Sequence, residues 1–309
     1  ATEPITPHVR ALDGIKANAD EGGLTAAAEN GITTVQVLPG SANVIGGTGV
    51  VIKTAPKTTV DDMILVENSG MKVAFGENPR RVYGDKKVLP STRMGVAGIM
   101  REWLLKTKNY MEKKELFADK PEKQPEKDLK LEALIPVLKG EIPMRVHAHR
   151  ADDVATAIRI CEEFGINMSW EHATEGHRIS QYNAEKDIPA VWGPGLNWRS
   201  KWETRERTFE TVKNLVDAGV KVALQTDADN GKIGFLPIHA ALAVRDGLSE
   251  EEAWRTITIN PAEILGVADR VGSIEKGKDA DLRITKGDPL DPRSQVTMVF
   301  IDGELVFSR

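Results

Sequence analysis

The feature that most constrains this chain is a repeat of apolar runs and amphipathic stretches. Pro143-Met144-Arg145-Val146-His147 reads as a strand, and residues 152–164 follow as a helix with Val154, Ala157, Ile158, Cys161 and Phe164 at 3–4 spacing. Residues 166–172, 189–192 and 220–226 are the next apolar runs, with a helical stretch over 205–218 closed by Gly219. Earlier in the chain, residues 32–38, 49–53 and 71–75 read as strands. Residues 24–29 and the stretch from Arg93 read as helices, and Gly46 to Gly49 reads as a turn. Strands alternating with helices at this spacing predict βαβ units and a parallel sheet. So many units in 309 residues favour a (β/α)8 TIM barrel over a doubly wound sheet. After Gly266 the texture changes: residues 271–282 and 296–307 read as short antiparallel strands, with a hairpin on Asp302-Gly303. The expected organisation is a barrel over 1–265 and a small β-sandwich portion over 266–309.

Composition narrows the chemistry. The chain carries 41 basic and 46 acidic residues, a net charge of −5, so no polybasic footprint points to nucleic acid or an anionic membrane. Cys161 is the single cysteine, which removes disulfide frameworks and Cys-cluster metal sites. Any metal must be held by histidine and carboxylate. No apolar run spans a membrane and no charged-then-apolar leader opens the chain, so the cytoplasm is the expected compartment. Residues 106–130 are charged and contain Pro121 and Pro125; they read as a solvated helix end and loop.

In barrels the C-terminal strand ends carry the chemistry. His147 ends one predicted strand, with His149 two residues on; His172 ends the next, 25 residues later; Asp227 ends another, 55 residues beyond that. A lone histidine at a strand end is usually a structural hydrogen-bonder. Two histidines and a carboxylate at separate strand ends suit a divalent cation, zinc first, with iron, manganese or nickel open and one or two ions accommodated. Residues 40–48 lack the Lys-Ser/Thr of a phosphate loop, and residues 172–177 lack the spacing of a zinc-protease helix. No Gly-x-Ser-x-Gly elbow occurs.

Three segments together resemble the amidohydrolase superfamily, in its imidazolonepropionase-like branch: Arg145-Val146-His147-Ala148-His149, Ser169-Trp170-Glu171-His172-Ala173-Thr174 and Ala223-Leu224-Gln225-Thr226-Asp227-Ala228. Residues 258–266 and 272–282 extend the likeness to most of the chain. The resemblance implies metal-dependent hydrolysis of a C–N bond in an amide, cyclic amide or peptide-like small molecule. It makes His147 and His172 metal ligands, and Asp227 a metal ligand that also moves the proton. A bridging ligand is expected from Glu77 or from a carboxylated Lys72, with a slight preference for Glu77. His149 is expected against the metal ligands or the substrate. Loops after several strands, including 193–202 and 229–236, are expected to set the substrate; Arg199, Lys201 and Arg205 are read as binders of a substrate carboxylate or as solvated surface.

The family's His-x-His on the first strand does not occur here; His8 is the only histidine before His147. The chain opens on Ala1 and reads as if it begins just after that strand, so the barrel is expected to lack its first strand. That absence keeps a second reading open, a catalytically silent barrel serving as a binding or structural subunit. Deamination is a chemical alternative, separable by ammonia release. A small-molecule substrate and a homo-oligomeric assembly are the expected partners.

Overall fold

The computed structural model describes residues 3–18, 23–228 and 232–309; Asp229, the start of one predicted substrate loop, lies outside the described residues, as does Ala1. Twelve strands are present among the described residues: β1 (Thr34–Val37), β2 (Ile45–Thr48), β3 (Val50–Lys53), β4 (Ile64–Val66), β5 (Met71–Ala74), β6 (Met144–Ala148), β7 (Met168–His172), β8 (Ala190–Trp192), β9 (Val222–Leu224), β10 (Leu282–Lys286), β11 (Gln295–Ile301) and β12 (Glu304–Ser308). The principal sheet has six strands in the order β2-β5-β6-β7-β8-β9. Its strands are parallel where β5 meets β6 and where β8 meets β9, and antiparallel where β2 meets β5. Two three-stranded sheets stand apart from it, β1-β3-β4 and β10-β11-β12.

The chain divides into two compact units, one of Ala1–Asp13, Leu38–Val50 and Asn68–Trp170, the other of Gly14–Val37, Val51–Glu67 and Glu171–Arg309. Strand β7 passes from the first to the second.

In the first unit, β5 and β6 are buried along their whole length. Strands covered on both faces are apolar runs rather than alternations, which is why their sequences read continuously. Arg145 is the exception inside β6. Its guanidinium donates to the Ser69 carbonyl at 2.8 and 3.0 Å and to Ser169 Oγ at 3.1 Å, so the buried charge is hydrogen-bonded rather than abandoned. The helix Arg93–Leu116 starts at Thr92, whose side chain accepts from the Gly95 N–H. The helix Ala151–Phe164 ends on Gly165 at φ +67, a left-handed cap that glycine adopts without a Cβ penalty.

Residues 46–48, read as a turn, belong instead to β2. Pairing of Ile45 with Val73 and Thr48 with Met71 supplies the hydrogen bonds that a turn signal hides. Gly47 sits at φ +135, where a Cβ would lie 2.2 Å from the Val9 carbonyl oxygen; only glycine lets the residue 5–10 segment run alongside β2. The charged stretch after Lys106 is more ordered than expected. The helix runs on to Leu116, and a second helix spans Leu129–Leu138 behind an Asp128 cap. Lys106 and Lys130 both lie over the Trp103 ring, which gives this solvated face aromatic anchorage.

In the second unit, the helix expected over 205–218 begins at Glu210, after a 3₁₀ turn over Trp202–Thr204. The antiparallel sheet is as expected from β11 onward. Asp302 at φ +53 and Gly303 at φ +83 make the tight turn between β11 and β12. Residues 271–281 are not strand, however; pairing starts at Leu282, opposite Phe300. Lys53 of β3 ends inside a ring of three carboxylates, 2.7 Å from Asp281, 3.0 Å from Asp279 and 3.2 Å from Asp302. Burial pushes this ammonium down, yet its hydrogen bonds to Asp281, Asp279 and Asp302 outweigh that, and its pKa is raised. Among the described residues no helix is long and apolar enough to cross a membrane.

Candidate metal centre

The end of β6 delivers two imidazoles. His147 and His149 alternate along an extended backbone around Ala148, both are buried, and their rings meet edge-on with centroids 4.8 Å apart. His147 Nε2 lies 3.1 Å from the side-chain amide of Asn78, in the first turn of the helix Glu77–Gly84. Oxygen and nitrogen of such an amide exchange by a half-turn, so Asn78 can accept from Nε2–H and direct the Nδ1 lone pair elsewhere.

The end of β7 delivers the third. His172 is buried at φ +77 and its neighbour Ala173 is at φ +40. His172 Nδ1 is 2.8 Å from the Gly193 carbonyl, the first residue beyond β8. A carbonyl can only accept, so Nδ1 carries the proton and Nε2 keeps its lone pair, the arrangement a metal-binding histidine needs. Gly193 at φ +137 has the Gln225 carbonyl oxygen 2.1 Å from where a Cβ would stand; a side chain there would drive the two backbones apart and move the carbonyl that orients His172.

His147, His149 and His172 each offer one nitrogen to a group whose members all lie within 4.8 Å of one another. Three buried imidazoles of this kind are a ligand set for a borderline divalent cation, so the residues present fit such an ion. His149, expected beside the ligands or the substrate, is part of the group itself. Asp227 is not in the group. It lies beyond β9, exposed, at φ +48. Glu77 is also outside it, as the first residue of its helix with Arg81 3.9 Å away. Lys72 is buried in β5 and donates to Ser41 Oγ at 2.8 Å. Arg199 is exposed and donates to the Arg207 carbonyl at 2.8 Å.

Left-handed backbone at non-glycine residues is costly, about 1–3 kcal/mol each. Three of the six such residues among those described are His172, Ala173 and Asp227, all at predicted catalytic strand ends. Sequence reasoning missed Asn78 and Gly193, which orient the histidines. Asn78 carries no motif, and the role of Gly193 belongs to its carbonyl, which every residue type possesses.

The amidohydrolase family model matches residues 140–306, more than half of the chain. The chain is 28% identical to the amidohydrolase tasK of Hapsidospora irregularis over 335 residues, covering 99% of this chain and 33% of that protein. It is 33% identical over 109 residues to an imidazolonepropionase of Thermoplasma acidophilum, covering 33% of this chain and 27% of the relative. The chain thus spans about a third or less of the length of these curated relatives. In structure it resembles an amidohydrolase from Thermotoga maritima MSB8, with a TM-score of 0.94 and 49% identity, over 100% of this chain and 80% of that one. The chain belongs to the amidohydrolase family.

Proposed function

We propose that this protein is a metal-dependent amidohydrolase that cleaves a C–N bond in an amide or peptide-like small molecule. The observation that carries the reading is the buried trio of His147, His149 and His172 within 4.8 Å. In this reading the six-stranded sheet is part of a (β/α)8 barrel. The trio would hold the cation, zinc by preference, with Asn78 and Gly193 setting the tautomers of His147 and His172. A bound divalent cation supplies Lewis acidity, polarising the scissile carbonyl and making water more acidic.

The chain supplies the rest. Asp227 Oδ takes a proton from the attacking water as its oxygen bonds to the carbonyl carbon. The same carboxyl then passes that proton to the leaving nitrogen, the C–N bond breaks, and an acid and an amine result. The exposed position of Asp227 leaves room for substrate to approach it.

That exposure, outside the histidine group, also favours a second reading, a barrel that holds metal and binds a small molecule without turning it over. Elemental mass spectrometry of the purified protein, followed by a panel of N-acyl amino acids, decides between them. About one equivalent or more of transition metal with amine release supports the hydrolase. Metal without turnover supports the silent barrel, and no metal after incubation with zinc overturns both.

A further inference from the structure

The loop that leaves β8 is built more firmly than a surface loop requires. Gly195 lies where a Cβ would stand 2.3 Å from the Phe209 ring and 2.9 Å from His239. His239 is buried and fully engaged: Nδ1 donates to the Phe235 carbonyl at 2.8 Å, and Nε2 accepts from the Leu196 N–H at 3.3 Å. The next residues, Asn197 and Trp198, turn their carbonyls onto Arg207 Nη1 at 3.0 and 3.4 Å. Arg199 reaches back to the Arg207 carbonyl. The framework therefore holds the Arg199 guanidinium on the Arg207 backbone, near enough for its charge to act on the Arg207 guanidinium.

This pairing is electrostatically unfavourable as it stands. Arg207 is only 8% exposed, and carbonyl oxygens are its hydrogen-bond acceptors; among the described residues neither Arg207 nor Arg199 makes an ion pair. Burial lowers the Arg207 pKa, and the Arg199 charge lowers it further. The Asp227 carboxylate is the one influence that opposes them. A buried cation whose direct hydrogen-bond acceptors are neutral carbonyls, held near a second cation, is stabilised by an anion that reaches both. Guanidinium presents the planar donor fork that matches a carboxylate. Arg205, by contrast, is already committed to Glu206 at 3.2 Å and to Glu175 at 3.7 Å.

We propose that Arg207 and Arg199 form a subsite for a carboxylate on the leaving-amine side of the substrate, so that the substrates are N-acyl amino acids or dipeptides. The inference rests on the hydrolase reading and narrows it. In an α-amino acid the carboxylate is two bonds from the nitrogen that leaves. The group that recognises it must therefore stand close to the group that protonates that nitrogen: β8 and β9 are parallel neighbours with Trp192 opposite Leu224, so the segment carrying Arg199 leaves the sheet at the same end as Asp227, whose charge acts on Arg207. Trp198 and Trp202, 87% and 71% exposed, offer apolar surface for the amino-acid side chain.

The test uses ligands that the reaction cannot turn over. Calorimetric titration of the metal-replete protein with L-leucine and with L-leucinol compares the same skeleton with and without a carboxylate. Leucine is expected to bind at least about tenfold more tightly, consistent with a charge-assisted bidentate contact. R207M and R199M should each erase that preference, and R205M should retain it. Arg199 is exposed, so R199M stays informative even where R207M fails to fold. Equal binding of the two ligands overturns the subsite, as does a preference that survives R199M. Inorganic phosphate binding more tightly than leucine overturns the carboxylate assignment in favour of phosphoryl ligands. Because the readout is binding, absent hydrolysis of N-acyl amino acids would sink the hydrolase reading while leaving the subsite standing.

Discussion

Two regions of this molecule bury polar groups to a similar degree and resolve the cost in opposite ways. Around Lys53 the charges answer one another: three aspartates at 2.7–3.2 Å close a cluster that also draws Arg270 onto Asp279 at 2.7 Å. At the ends of β6 and β7 the bonded ring nitrogens are oriented by Asn78 and Gly193, while each imidazole also offers a nitrogen to a common point. The first region is closed and serves the fold. The second leaves three ring nitrogens within 4.8 Å of one another, the arrangement the proposed metal site calls on. Burial alone does not separate structure from function; what the buried groups point at does.

Substitution should drive the two regions apart. The largest effect is expected at the histidines: His172→Ala or His147→Ala should lower hydrolysis by about 10³-fold or more, since Lewis-acid stabilisation is worth several kcal/mol. Bound metal should fall in parallel while circular dichroism is unchanged, and a variant with full metal and full rate would remove that residue from the site. Lys53→Met should do the reverse. It strands carboxylates against a buried position, at a cost of about 3–5 kcal/mol read by denaturant unfolding, with rate per folded molecule preserved.

The Lys53 cluster also predicts a pH dependence. Burial pushes the Asp279 carboxyl up, but Lys53 and Arg270 outweigh it and its pKa is lowered. Its contribution is therefore present above the ordinary value of 3.8 and is lost as pH falls through the lowered one. The raised Lys53 contributes below 10.5 and loses its contribution as pH climbs through its folded value. Melting temperature should thus decline at both extremes, and Lys53→Met should flatten both limbs. An unchanged profile in the variant would assign the decline to other groups. A smaller effect is expected at Asn78, where Asn78→Ala should weaken metal affinity about 10–100-fold by freeing the His147 ring; chelator competition measures it. Smallest is the surface pair of Arg178 and Glu206, 2.7 Å apart; Arg178→Ala should cost at most about 1 kcal/mol in the same unfolding assay.

Much of the parallel sheet was legible because its strands are buried on both faces and announce themselves as apolar runs between helices, as β5 and β6 do. Strand β2 was not, because Ile45-Gly46-Gly47-Thr48 carries glycines for close approach to the residue 5–10 segment and so imitates a turn. The start of the antiparallel sheet was misplaced because residues 271–281, short apolar positions broken by glycine turns, form turns of their own and strand pairing begins only at Leu282. At the site, His147 and His172 were visible from spacing. The place of His149 in the group was not, since it depends on how the chain continues past β6. Arg207 left no sequence signal, because its meaning lies in what surrounds it.

The left-handed turn at His172 and Ala173 sets two demands against each other. Ala173 is buried, with no side-chain chemistry to contribute, and its φ of +40 suits glycine better than alanine. Glycine there would relieve the folded backbone but widen the conformations open to the unfolded chain and to the turn itself. Alanine narrows the directions from which the His172 ring can be presented, so at this position ease of folding and precision of the ring pull apart.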